Sequence, residues 1–473
     1  MLNQSFSFEN LKSIHEIQNR KGNYFEEFYS EGYHIVIEQL KEKRKEIKQE
    51  RLKINFNEDV LNELLKEKQI LEDLKENYLE DDLNKFSNKI NSKSFDFILK
   101  SFKHDPAGKE IYTTSKDAES YFAMKQLQFN VQRTFKVKQS NRYQIVRQLK
   151  VLLEDQFPKY IIRTDISQFY ESVPQNELCK LLESNSLLSP KSKSLIKNLL
   201  YNYNKATNQL GMNTAFGIPR GVGISPFLAE LYMRKIDEEI KNIPNVTFYG
   251  RYVDDIIIIF TPFSKHINNK YLEMVKKIIA DKGLIVKESK TQEINLLNTT
   301  NERKDIDFLG YSFNITNSKL NEVKLSVNKK DKYKIRVEKI LDRYLKDRGF
   351  NKKEAKRLLI HRINYLTKNT KLHQPKKGVI GIYYSNSLLD EDCSCLSELD
   401  KMLVRTIDHK LPFMLYSDVN RRLKTFSFIE GFKNKTFYNI NSKKKSIPDL
   451  RSPKDKEAKP LMNNFERIVE AWK

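Results

Sequence analysis

The chain has 473 residues, 39% of them hydrophobic, with 28 Phe and 23 Tyr, enough for two or three domains with real cores, which excludes a disordered protein. Its 85 Lys and Arg against 62 Asp and Glu leave a formal net charge of +23, which favours a polyanionic partner, nucleic acid above membrane, because phosphate backbones reward clustered cations through counterion release. The opening MLNQSFSFEN is polar, and no apolar run nears the roughly 18 residues of a membrane span, so the expectation is a cytoplasmic protein with no membrane partner.

From Phe25 to Leu99, apolar residues recur at helical spacing (Ile35, Ile37, Leu40; Leu61, Leu64, Leu65) between dense Lys and Glu. This predicts a helical N-terminal region, residues 1–95, whose mixed charges are solvated faces. Between Tyr160 and Phe313 the texture changes to short β-branched runs punctuated by Gly, Pro and Asn, namely YIIRTDI, VTFYGRYV, DIIIIF and IDFLGYSF, which predicts an α+β centre within residues 96–315. After Lys319 helical periodicity returns with a basic bias, giving a third region, 316–473. Its Lys and Arg interleave with Tyr, Phe and His, as in HRINYLTKNTKLHQPKK, which suits a duplex backbone and unpaired bases and equally suits a basic helix face over core aromatics. Cys179, Cys393 and Cys395 cannot make a disulfide framework, and C-x-C without neighbouring Cys or His is a poor zinc site, so buried or incidental thiols are expected.

The chemistry concentrates in VTFYGRYVDDIIIIF, where two strand-forming runs flank Asp254 and Asp255 and predict a hairpin with two carboxylates at its tip. An Asp in a tight turn is ordinary, but two between apolar strands leave charge that divalent metal ions usually compensate. Upstream, Asp165 ends the strand-like YIIRTDI; taken alone it reads as a helix N-cap, and near the hairpin it reads as a third ligand. Such a set could hold two metals about 3.5–4 Å apart, which would stabilise the attacking and leaving oxygens of an in-line phosphoryl transfer. Between them, GIPRGVGISPFLAELYMRKIDEEI places Gly217, Pro219, Gly221 and Gly223 in a loop, and Pro226 then opens an amphipathic helix.

In this order the segments resemble the reverse transcriptases, with motif A in TDISQFYESVP, motif B in GIPRGVGISP and motif C in YVDD. KGLIVKESKT looks like motif D, IDFLGYSF like motif E, the primer grip, and KVKQSNRYQIVRQL like the basic fingers segment. The resemblance implies an α+β right-hand polymerase of fingers, palm and thumb, with an antiparallel palm sheet and helical terminal regions. It implies Asp165, Asp254 and Asp255 as the catalytic metal triad, with the Ile166 carbonyl as a further ligand, for two Mg2+ ions or Mn2+. Lys136, Arg142, Lys290, Tyr170 and Arg220 would face the nucleotide, and Lys138, Arg147, Gly310 and Tyr311 the nucleic acid. Tyr170 falls where the family keeps an aromatic gate against a ribose 2′-hydroxyl, implying deoxynucleotide substrates and a DNA product; without that register it reads as a core Tyr. Arg220 stands where retroviral members carry Gln, so nucleotide contacts would differ here.

Within the family, IVRQL, RTDISQFYESVP, RGVGISPFLAELY and RYVDD look like the bacterial defence-associated and abortive-infection enzymes. A thinner likeness, carried by GFKNKTF and FERIVEAWK, is to one polymerase of the two-polymerase, class 3 defence systems. That resemblance implies antiphage defence, a dedicated noncoding RNA template, and a partner polymerase or self-assembly. The alternatives are a non-catalytic, maturase-like RNA-binding protein, which an intact triad opposes, and an RNA-dependent RNA polymerase, which Tyr170 opposes.

Overall fold

In the computed structural model, which describes residues 2–22, 26–53, 57–104, 108–211, 214–263, 270–298, 302–372, 378–415, 417–439 and 464–472, the chain begins with helices α1 (Phe8–Arg20), α2 (Glu31–Glu50) and α3 (Glu58–Asn91). Helix α1 falls inside residues 1–95, the region expected to be helical, but before Phe25, where the periodic pattern begins. Two of the four residues that α1 buries, His15 and Gln18, are polar, and His15 Nδ1 meets the Tyr29 hydroxyl at 2.5 Å. A hydrophobic pattern alone does not mark such a face. The hairpin of β1 (Leu99–His104) and β2 (Lys109–Thr114) follows, then α4 (Ala118–Thr134) and α5 (Arg142–Glu154).

The centre is an antiparallel sheet of β3 (Lys159–Asp165), β4 (Val246–Tyr252), β5 (Asp255–Phe260) and β6 (Gln292–Leu296), in the order β4-β5-β3-β6. Between β3 and β4 run α6 (Phe169–Ser172), α7 (Gln175–Glu183), α8 (Pro190–Ala206) and α9 (Ser225–Lys241), and α10 (Tyr271–Asp281) follows β5. Side chains of a strand alternate between faces, so a strand covered on both sides must be apolar where it is covered, as residues 256–260 are behind Asp255. Ile256, Ile258 and Phe260 join Ile162 in one core with the N-terminal helices and α9. Ile257 and Ile259 join Ile161 in a second core with α5 and the third region. These two cores clamp the strands that carry the acids.

A second sheet, β7 (Lys304–Phe308), β8 (Tyr311–Thr316) and β9 (Lys319–Leu325), runs through the expected division at 315/316. The third region then packs α11 (Val327–Asp347), α12 (Lys352–Thr367) and α13 (Ser394–Lys410), with a small hairpin of β10 (Asn369–Leu372) and β11 (Gly378–Gly381). A short helix, Asn464–Val469, seats on α12 through Arg362, only 1% exposed, which donates to Asp347 and to the Arg467 carbonyl. Cys393 and Cys395 are not the separate thiols expected: both are buried and joined as a disulfide at the start of α13, where the cap residue and the first turn bring their Cα atoms to 5.4 Å. The fold is α+β with antiparallel sheets, as the sequence predicts, and no described helix is long and apolar enough to cross a membrane.

Candidate active site

Asp165 is the last residue of β3 and pairs in register with Asp255, the first residue of β5. Register partners project from the same face of a sheet, so the strand pairing itself brings the two carboxylates together. Asp165 is no helix cap, because the next helix, α6, starts at Phe169 after Gln168 in the left-handed region. Asp254 is the second residue of the two-residue turn left by the pairing of Tyr252 with Asp255. The first, Val253, has φ +60°, and a β-branched residue there costs about 1–3 kcal/mol, a strain that surrounding contacts must hold. Backbone bonds then lock the assembly: the Ile166 N–H donates to the Asp254 carbonyl at 3.1 Å, and the Lys287 N–H to the Asp165 carbonyl at 2.7 Å.

The result is three carboxylates with one oxygen each inside 4.8 Å, Asp165 buried and the other two half-buried. Lys290 Nζ reaches Asp165 Oδ2 at 2.6 Å, and Arg163 lies 3.6 Å from Asp255 Oδ1, beyond a hydrogen bond. That Asp255 oxygen is buried without a hydrogen-bond partner. A hard, all-oxygen set with an acceptor left unpaired fits Mg2+ or Mn2+. Burial, then the charge of Asp165, raises the Asp254 carboxyl above the ordinary range. Burial raises Asp255 as well, against the pull of Arg163.

Beside the triad, Arg220 from the Gly-rich loop makes a two-pronged pair with Glu171, Nε to Oε1 at 2.8 Å and the fork to Oε2 at 3.0 Å, and stacks 4.9 Å over the Tyr170 ring. Gly221, at φ +93°, lets this loop press on β2: a Cβ there would lie 2.8 Å from the Tyr112 carbonyl, while the Tyr112 N–H donates to the Arg220 carbonyl at 2.7 Å. Tyr170 lines a small cleft with Pro226, Ala229 and Glu230 of α9 and with Tyr252 and Val253 of the hairpin.

The other basic candidates lie elsewhere. Arg142 is drawn to the turn of motif E, donating from Nε to the Leu309 carbonyl at 3.1 Å, with its guanidinium 5.6 Å above the Tyr311 ring. Tyr311 is 4% exposed, stacked also by Lys329 at 5.0 Å, so its ring is core material beside the half-buried Gly310. Burial, with Arg142 alongside, pushes the Lys329 ammonium down to about 7. Lys136 and Lys138 are exposed and line a depression with Arg234, Asp237 and Lys241 of α9; Arg147 is exposed on α5. Arg163 and Glu171 escape the sequence reading, although each stands one or two residues from a named position, Arg163 on the same strand face as Asp165.

Residues 76–313, about half of the chain, match the family model described as reverse transcriptase (RNA-dependent DNA polymerase). No curated protein matches. Among solved structures, apo telomerase of Candida tropicalis, truncated from its C-terminal domain, is similar at 18% identity and TM-score 0.35, over 50% of this chain and 56% of that one. Telomerase of Candida albicans in complex with a fragment of telomeric RNA is similar at 13% identity and TM-score 0.36, over 76% and 69%. The chain thus spans between about half and two thirds of the length of these structures.

The raised carboxyls make a stability prediction. A folded-state pKa above the unfolded value contributes stability that is present in acid and lost as pH rises through the raised pKa. Asp254→Asn with Asp255→Asn, which removes both charges, should therefore raise the melting temperature of chelator-treated protein at neutral pH, by roughly 1 °C for each kcal/mol relieved in a chain of 473 residues. Below the ordinary carboxylate range the gain should vanish. Scanning calorimetry across pH checks this, and an unchanged or lower melting temperature at neutral pH would contradict it.

Proposed function

The chain belongs to the reverse transcriptase family, and from that premise we propose that it is an RNA-directed DNA polymerase, a nucleotidyltransferase that extends a primer by phosphoryl transfer at Asp165, Asp254 and Asp255. The observation that carries this reading is the convergence of those three carboxylates within 4.8 Å. Two divalent cations bound there, Mg2+ or Mn2+, would supply the charge that stabilises the attacking and leaving oxygens. The chain's own residues do the rest.

Asp254 and Asp255 offer acceptors at the strand end, and the Ile166 carbonyl stands next to Asp165 as a further one. Lys290, half-exposed on a flexible stem, is balanced by Asp165 and can turn to an incoming triphosphate. Tyr170, braced flat by Arg220, supports a sugar-excluding wall in the cleft beside the turn; Arg220, its fork filled by Glu171, meets the nucleotide through that ring. Around the motif E turn, Arg142 and the partly charged Lys329 flank Gly310 and suit a primer phosphate, whose charge would favour the protonated ammonium. Lys136, Lys138 and Arg147 add exposed positive charge along the fingers segment for template and triphosphate. Base sequence is then read by pairing with the template.

The wording of IVRQL, RTDISQFYESVP, RGVGISPFLAELY and RYVDD supports a role in bacterial antiphage defence, with a dedicated noncoding RNA as template and DNA as product. In that setting the enzyme works in the cytoplasm with a partner polymerase or further copies of itself.

Protein purified with its bound RNA, given magnesium and labelled deoxynucleotides, should make labelled DNA, and the double variant Asp254→Asn, Asp255→Asn should make none. Equal synthesis by both, or none by either on a supplied primed template, would remove the polymerase reading. Tyr170→Ala should keep DNA synthesis and admit ribonucleotides that the unsubstituted enzyme rejects. Unaltered rejection would remove the gate assignment while leaving the polymerase standing.

A further inference from the structure

Arg251 sits two residues before the turn's first position and is 5% exposed. A guanidinium has five N–H donors, and the structure finds an acceptor for each. Nε donates to Asp237 Oδ1 at 2.8 Å, and one terminal nitrogen to Asp237 Oδ2 at 2.8 Å and Glu230 Oε2 at 2.7 Å. The other donates to Glu230 Oε1 at 3.1 Å and to the Val253 carbonyl at 2.9 Å. Asp237 Oδ1 also accepts from the Tyr249 hydroxyl at 2.6 Å. Both carboxylates belong to α9, the helix that opens after the Gly-rich loop and walls the Tyr170 cleft.

The bond to Val253 matters because Val253 is the strained residue of the turn. Left to itself, a β-branched residue leaves the left-handed region, and rotation of the Val253–Asp254 peptide would swing Asp254 away from Asp165. The Ile166 N–H holds only the following carbonyl, that of Asp254. We propose that Arg251 is a positioning residue for the metal site: anchored by Glu230 and Asp237, it pins the Val253 carbonyl and so holds the turn in the strained form that presents Asp254 and Asp255 together. The inference rests on the reading of the triad as a metal site. It also makes α9 a shared support, so that the nucleotide cleft and the metal turn keep one geometry.

Lysine has three donors on a flexible stem and cannot span two carboxylates and a carbonyl in one plane. Mn2+ binding to the full chain, followed by electron paramagnetic resonance, reads the effect without activity. Arg251→Lys should weaken Mn2+ binding about 10–100-fold, the usual cost of losing a group that orients metal ligands, while circular dichroism shows an unchanged fold. Adding Val253→Gly should restore most of the affinity, because glycine takes a positive φ unaided. A folded Arg251→Lys protein that binds Mn2+ like the unsubstituted chain overturns the proposal. So does a glycine that restores nothing, since Arg251 would then only support the fold. If Arg251→Lys does not fold, Glu230→Gln keeps the guanidinium and loosens its anchor; weaker Mn2+ binding supports the proposal and equal binding overturns it. Absence of Mn2+ binding by the unsubstituted protein is a different failure, that of the metal reading itself, and takes the proposal with it.

Discussion

Three carboxylates within 4.8 Å repel one another, and the arrangement of the centre answers that repulsion. A site of this kind cannot be carried by a loop free to relax. Here each acid stands at a strand end or in a two-residue turn, and the strands behind them are buried on both faces by separate cores. The backbone of Asp165 and of Asp254 is bonded across elements, so electrostatic strain meets rigid supports. Divalent cations convert the same repulsion into affinity, which is why such a cluster is stable in use and costly without them.

The wider charge pattern follows a related logic. A chain at +23 attracts polyanions, yet its most sensitive site is negative. Lys290 and Arg163 sit against the triad, so positive charge lies directly beside the acids, while Arg142 with Lys329 frames the separate motif E turn. On the proposed reading, a nucleic-acid backbone would approach through such cations and meet the carboxylates where metal is held.

Much of this was legible in the sequence because the signals were local. The apolar runs of β3 and β5, the acids at their ends and the Gly-rich loop before α9 all read correctly, since period-two burial and turn chemistry act over a few residues. Helix α1 lies in the region expected to be helical, but its own face and bounds were not legible, because half of its buried face is polar and is satisfied by partners such as Tyr29 that only the tertiary fold brings near. The hairpins β1–β2 and β10–β11 were missed because two-stranded units of four to six residues carry too little pattern beside Lys-rich neighbours. Glu171 and Arg251 stand within motifs that were read, but their roles depend on Arg220 and Glu230, residues distant along the chain. Tyr311 and Arg142 show the converse: the motif marked the right turn, and packing turned the Tyr ring inward and the guanidinium onto the Leu309 carbonyl. The Cys393–Cys395 bridge could not be read from C-x-C spacing, which fits thiols as well.

The central claim, that these acids form a metal centre, is tested most directly by crystals of the protein soaked in Mn2+ and measured for anomalous scattering. The account predicts peaks within coordination distance, roughly 2.0–2.3 Å, of Asp165, Asp254 and Asp255 carboxylate oxygens, lost in crystals of the Asp254→Asn, Asp255→Asn variant. Crystals of active protein with no anomalous peak at the triad, or with the peak unchanged in the variant, would contradict it.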